Sequence, residues 1–255
     1  MPRLRLLSHP AVASAIGREI GRDIEYHARL RSTQTRAREL AAQGAVRGVV
    51  VADVQDAGHG THDRVWLAPA GSSLLASWII RPAPAAPALF AALAGVAVAR
   101  ALDALGCGGA RLKWPNDVRF DEGKVAGALA HATSDSSGGV LVLGIGVNVH
   151  QRASDFPDEL RAIATSLALA RRDVDRLALL AGITRELNRI ERQDERAAAL
   201  EEWRERSTLL GRAVEVRLDG RAFGGTATAI DDEGALIVHT ADGVERVVSG
   251  DVRLA

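Results

Sequence analysis

Near Gly211 the spacing of apolar residues changes period, and that change constrains the fold more than any single motif. Between residues 156 and 206, Leu177, Leu180, Ile183, Leu187 and Ile190 recur at three- and four-residue intervals, which puts them on one helical face. Beyond Gly211 the interval falls to two: Val214, Val216 and Leu218, then Ala227 and Ala229, then Leu236 and Val238, then residues 244–248. Every second side chain of a strand points the same way, so these runs read as strands with one buried face. Asp219-Gly220, Glu233-Gly234 and Asp242-Gly243 separate them as hairpin turns. Short strands packed into about 50 residues predict a small all-β barrel. The chain therefore divides into residues 1–207 and residues 208–255.

The first part alternates helix and strand signals, so the fold class is α+β. Residues 11–20 predict a short helix and 23–31 a strand. Ser32 or Thr33 caps a helix to about Gln43, stopped by Gly44. The β-branched run 46–54 and residues 74–80 predict strands, the latter stopped by Arg81 and Pro82. A helix follows over 87–105, then a short strand over 111–114 and a turn at Pro115, Asn116 and Asp117. Residues 124–131 and 140–149 predict a hairpin.

The 255 residues suffice for one substantial core with a small appended domain. Lys plus Arg and Asp plus Glu both number 32, so no broad basic field exists for gripping nucleic acid. The single Cys107 permits no intrachain disulfide and suits a reducing cytoplasm. The alanine-rich stretch 83–105 is broken by Pro84, Pro87, Arg100 and Asp103, which favours a buried helix over a membrane span. Residues 1–7 alternate Arg and Leu without the apolar run of a signal peptide. A soluble, cytoplasmic protein is expected.

Four segments invite chemistry. Lys113-Trp114-Pro115-Asn116-Asp117, followed by Gly123-Lys124-Val125-Ala126-Gly127, sets a lysine at a strand end facing a loop. Such an ammonium neutralises phosphate or carboxylate as a compact point charge, although an isolated lysine there is more often a solvated terminus. Ser32-Thr33-Gln34 offers hydroxyls and amides at a helix start, or a plain cap. In the stretch from Gln55 to Trp66, Gly58 and Gly60 allow close backbone approach to a ligand and loop closure. His59, His62 and Asp63 raise a metal hypothesis, but a flexible loop makes a poor cage, and no metal ligands are assigned. Gly144-Ile145-Gly146-Val147-Asn148 marks a strand with close backbone approach, where Asn148 reads a purine edge or satisfies its own backbone.

In this order and spacing the four segments resemble the biotin protein ligase family, from about Asp23 to the C-terminus. Lys-Trp-Pro-Asn-Asp followed by Lys-x-Ala-Gly is the most specific element. The resemblance implies a mixed sheet flanked by helices, as in class II synthetase-like biotin–lipoate ligase domains. It implies ATP and biotin as substrates, with Mg2+ offsetting phosphate charge. Biotinyl-5'-AMP would form first, and biotin would then pass to a lysine in the biotin carboxyl carrier domain of a carboxylase. By position, Ser32, Thr33, Gln34, Gln55, Gly58, His59, Gly60, Thr61, Lys113 and Gly127 would hold biotin. Arg64, Trp66, Asn116 and Asn148 would serve the nucleotide. Lys113 would stabilise charge developing during adenylation, and Asp117 would orient the acceptor amine or Lys113.

The glycine loop departs from the family pattern Gly-Arg-Gly-Arg-x-Gly-Arg-x-Trp. His59 and Thr61 replace two arginines and Asp63 a glycine, leaving only Arg64. An arginine–phosphate hydrogen bond is worth about 1.5–3 kcal/mol, so weaker retention of the adenylate is expected. Protonated His59 or His62 would partly restore the charge. Two rivals remain: a lipoate or octanoate ligase or transferase, and a degenerate module that binds biotin without activating it. A ligase that doubles as a DNA-binding repressor is disfavoured by the few residues before Asp23 and the zero net charge. The oligomeric state is open, a homodimer included.

Overall fold

The computed structural model describes residues 3–60, 65–133, 139–218 and 220–255. After a 3-10 turn at Arg3–Ser8 come α1 (Pro10–Ile20), β1 (Asp23–His27), α2 (Thr33–Ala42), β2 (Gly48–Ala52), β3 (Ser73–Ile80) and α3 (Pro87–Ala104). Next are β4 (Arg111–Lys113), β5 (Asp117–Phe120), β6 (Gly123–Thr133), β7 (Val140–Asn148), α4 (Asp158–Arg161), α5 (Arg176–Ile190) and α6 (Gln193–Arg206). The chain closes with β8 (Arg212–Leu218), β9 (Arg221–Ile230), β10 (Leu236–Thr240), β11 (Gly243–Val247) and β12 (Asp251–Leu254).

β1 to β7 form one mixed sheet in the order β1-β2-β3-β7-β6-β5-β4. Only β1 and β2 run parallel; the other neighbours are antiparallel. Strand alternation gives the sheet two unlike faces. Val49, Val51, Ala76, Trp78, Leu143, Ile145 and Val147 point into the main core with α3 and α5. On the opposite face, Val50, Ile79 and Val142 pack under Ala37 and Ala41 of α2. The apolar helix α3 is that core's centre, which accounts for its membrane-like composition.

The expected barrel is corrected to an open sheet. Its order is β11-β10-β9-β8-β12, with β11 and β12 at the two edges. Gly250 takes φ +147° between them, where an added Cβ would lie 2.9 Å from the Arg217 carbonyl oxygen. Beyond this close approach β12 runs antiparallel along β8. The small sheet is stitched to the large one by Thr208 N–H donating to Leu112 O at 2.8 Å and by Trp114 Nε1–H donating to Gly234 O at 2.9 Å.

Two other expectations change. Residues 156–206 are not continuously helical, because Leu167 and Ala168 donate their amides to Asn148 O and Val149 O, and the backbone there extends the end of β7. The turn at residues 114–116 is present, but Asp117 already begins β5.

Candidate active site

The pocket lies where the α2-covered face of the large sheet loses its bulky residues. Along β3 the outward positions run from Ile79 to Ser77 and Leu75; along β7 they run from Val142 to Gly144 and Gly146. Ser77 pairs with Gly144 and Leu75 with Gly146 across the ladder. Replacing two branched side chains by hydrogen and a hydroxyl opens a cleft lined by both apolar and polar side chains, the kind of lining that suits a small organic ligand.

The start of α2 supplies the polar wall. Ser32 occupies the N-cap position but makes no side-chain cap bond, so its hydroxyl is left to line the pocket. Thr33 donates both its amide, at 2.7 Å, and its hydroxyl, at 3.0 Å, to Gln55 Oε1. Ser77 Oγ donates to Thr33 Oγ1 at 2.8 Å and to Gln34 Oε1 at 3.2 Å. Gln34 Nε2 in turn donates to the carbonyls of Val142 and Leu129. These side chains hold one another in place before any ligand arrives.

The opposite wall comes from the glycine loop. Trp66 N–H donates to Gly58 O at 3.0 Å, which folds the loop back over the sheet. The indole lies so close to β7 that a Cβ on Gly146 would sit 2.6 Å from Trp66 Cε2. Gly127 also faces this ring, with Trp66 Cζ3 3.5 Å from where its Cβ would be. His59 and Gly60 line the cleft beside them. Thr61 and Arg64, with His62 and Asp63, lie outside the described residues.

Lys124 brings the cation. It lines the pocket, sits 6.0 Å from the centre of the Trp66 ring and pairs with Asp117 Oδ1 at 2.5 Å. Its aim depends on a bulge. Asp117 pairs with Gly127 and Val118 with Ala126, but Arg119 pairs with Lys124, so one residue of β6 is skipped. Val125 and Ala126 both turn into the core, and Lys124 is thereby moved to the pocket face. Its backbone is pinned from outside: Lys124 N–H donates to Ile163 O and Thr165 N–H to Lys124 O, both at 2.8 Å.

The structure therefore divides the expected site residues. Ser32, Thr33, Gln34, Gln55, His59, Gly60, Trp66, Asn116 and Gly127 line the pocket, and Gly58 anchors the loop. Lys113 does not line it. Lys113 lies two strands from Gly127, at the sheet margin, and lines a second cleft between β4, β5 and the small sheet, together with Asp117. Asn148 is 5% exposed and spends both ends of its amide internally, on Thr165 O and Gln151 Nε2. Asn116 Nδ2 donates to Ala128 O. Lys124 was missed in the sequence because regular alternation puts it on the helix side with Ala126 and Ala128; the -Lys-x-Ala-Gly- run was its only signal.

A buried ion pair braces the strand ends next to the pocket. Asp53, just past β2, accepts from Arg176 Nη1 at 2.9 Å, Tyr26 Oη at 2.8 Å and Arg5 Nε at 3.0 Å. Burial raises the Asp53 carboxyl, but the three donors more than offset this and hold it below the usual carboxylate range. Among the described residues no group of three or more His, Cys, Asp or Glu side chains gathers to hold a metal.

Comparison with known proteins gives one answer along the chain. Residues 26–148 match the model of the biotin/lipoate A/B protein ligase family, and residues 209–254 match the biotin protein ligase C-terminal domain. The bifunctional ligase/repressor BirA of Bacillus subtilis is 34% identical over 245 residues, covering 92% of this chain and 75% of that protein. The biotin–[acetyl-CoA-carboxylase] ligase of Mycobacterium tuberculosis is 34% identical, covering 91% of this chain and 88% of that one. Among solved structures, the Aquifex aeolicus biotin protein ligase in complex with biotin and ATP superposes with a TM-score of 0.78 at 26% identity, over 91% of this chain and 99% of that chain. With relatives of this identity aligned over most of their length, the chain belongs to the biotin protein ligase family.

Proposed function

We propose that this chain activates biotin with ATP and transfers the biotinyl group to a lysine of a biotin carboxyl carrier domain. The observation that carries this reading is the preorganised pocket over Gly144 and Gly146 with the Lys124 ammonium among its lining residues. Its polar wall of Ser32, Thr33, Gln34, Gln55 and Ser77 suits the ureido group of biotin, and Leu75 with the Trp66 ring suits the bicycle and chain.

In the first step a carboxylate oxygen of biotin attacks the α-phosphorus of ATP, and pyrophosphate leaves. Lys124 serves as the charge that draws the carboxylate in and stabilises the phosphoryl oxygens as charge builds. In the second step the carrier ε-amine, having lost a proton, attacks the biotinyl carbonyl, and AMP leaves. Asp117, in contact with Lys124, would orient that amine. Asn116 and Arg64 are the candidates for the nucleotide side, whereas Asn148, with both ends of its amide paired, holds the end of β7. Magnesium would enter on the ATP phosphates, a mode that needs few protein ligands. The division into a catalytic part, residues 1–207, and an appended part, residues 208–255, and a cytoplasmic setting, complete this reading.

Biotin-dependent ATP–pyrophosphate exchange, followed by transfer to a carrier domain, tests it. Lys124→Met should lower exchange by about 100-fold or more, the scale of removing one transition-state charge contact, while leaving the fold intact by circular dichroism. Lipoate should not replace biotin. Biotin binding with no exchange would overturn the reading in favour of a binding module.

A further inference from the structure

The pocket and the second cleft are separated by one ion pair. Lys124 lines the pocket and Asp117 lines the cleft, 2.5 Å apart. Lys113 stands directly opposite Asp117 in the β4–β5 ladder, so both side chains leave the same face of the sheet. Among the described residues the Lys113 ammonium makes neither an ion pair nor a hydrogen bond. Burial holds it below the ordinary lysine range, while the charges of Asp117 and Asp251 pull it upward. Asp117 thus has one ammonium in contact and a second, unengaged, across the ladder.

Filling the pocket creates a conflict over Lys124. A substrate carboxylate needs this ammonium, and Asp117 already holds it. Asp117 is only 19% exposed, and a largely buried carboxylate stripped of its cation is costly. We propose that Lys113 is a positioning residue that takes over Asp117 when Lys124 turns to the biotin carboxylate, so that the ion pair is exchanged and not lost. The exchange moves no proton and breaks no covalent bond. It rests on the functional reading above, and it gives the lysine of the Lys-Trp-Pro-Asn-Asp segment a role that its position outside the pocket otherwise withholds. Arg119, in the same cleft, is opposite Arg111 and Lys124 in the ladders and does not face Asp117.

Biotin titration by calorimetry on the intact chain and four variants decides it. Lys113→Met should raise the biotin Kd by about tenfold, and Lys113→Arg should restore it to within about threefold of the parent, since it returns the charge. Adding Asp117→Asn to Lys113→Met should bring the affinity back to the parental value or better, because no carboxylate is then left to compete for Lys124. Arg119→Gln should stay within about twofold, as expected of a half-buried charge without a fixed partner. An unchanged Kd in Lys113→Met, or a double variant no tighter than Lys113→Met, overturns the exchange while the ligase reading stands. A parent chain that takes no biotin overturns both.

Discussion

One face of the large sheet is built twice over along the same two strands, β3 and β7, once as core and once as pocket. Under α2 the outward positions are Val50, Ile79 and Val142, sealed by Ala37 and Ala41. Two residues along the same strands they are Ser77 and Gly144, then Leu75 and Gly146, and the face is open. Backbone geometry, pairing and direction are the same in both halves. Side-chain volume, together with the cover that Ala37 and Ala41 of α2 provide, decides which half excludes ligand, and the polar ring of Thr33, Gln34, Gln55 and Ser77 keeps the open half from collapsing.

Substitutions can break this division, beginning with the brace at its margin. Asp53→Asn removes the anion facing buried Arg176 and should cost about 3–5 kcal/mol of unfolding free energy, measured by urea denaturation. Because the folded carboxyl is held low, its contribution is complete above the ordinary carboxylate range and is lost as pH falls through the lowered value. The acid limb of the stability curve should therefore flatten in the variant; an unchanged limb would assign acid sensitivity elsewhere.

Within the covered half, Ile79→Ala should cost about 2–4 kcal/mol of stability and leave the biotin Kd nearly unchanged. Equal loss of binding would show that the two halves are one mechanical unit. Within the open half, the reverse is expected of Gly144→Val. Its Cβ would meet Gln34 Oε1 and Ser77 Oγ, so biotin affinity should fall by roughly 100-fold with a smaller change in the urea midpoint. Ser77→Ala sharpens the contrast most finely. It removes hydroxyl bonds to Thr33 and Gln34 without adding volume and should weaken biotin by about three- to tenfold.

Much of this was legible in the sequence because it depends on local patterning. The helix expected over 87–105 is α3, Pro87–Ala104, and the expected hairpin is β6 and β7. The Ser32-Thr33-Gln34 and Gly144–Asn148 segments were found because glycine and short polar residues in otherwise apolar surroundings are local anomalies. The segment 162–175 was misread as helical because its amides are claimed by the end of β7, a partner remote in sequence. The open shape of the small sheet likewise depends on where Gly250 delivers β12.

The two lysines mark the boundary most clearly. The sequence alone determined the periods, the order of elements and the family, since each is carried by residues near one another or by motif order. It also named Lys-Trp-Pro-Asn-Asp and Lys-x-Ala-Gly as the chemical segments. Only the tertiary structure decided that Lys124 belongs to the pocket and Lys113 to the cleft beyond Asp117. The physical reason is the skipped residue in β6: a bulge reverses the facing of every side chain beyond it, and it forms from cross-strand pairing that no single strand's pattern contains.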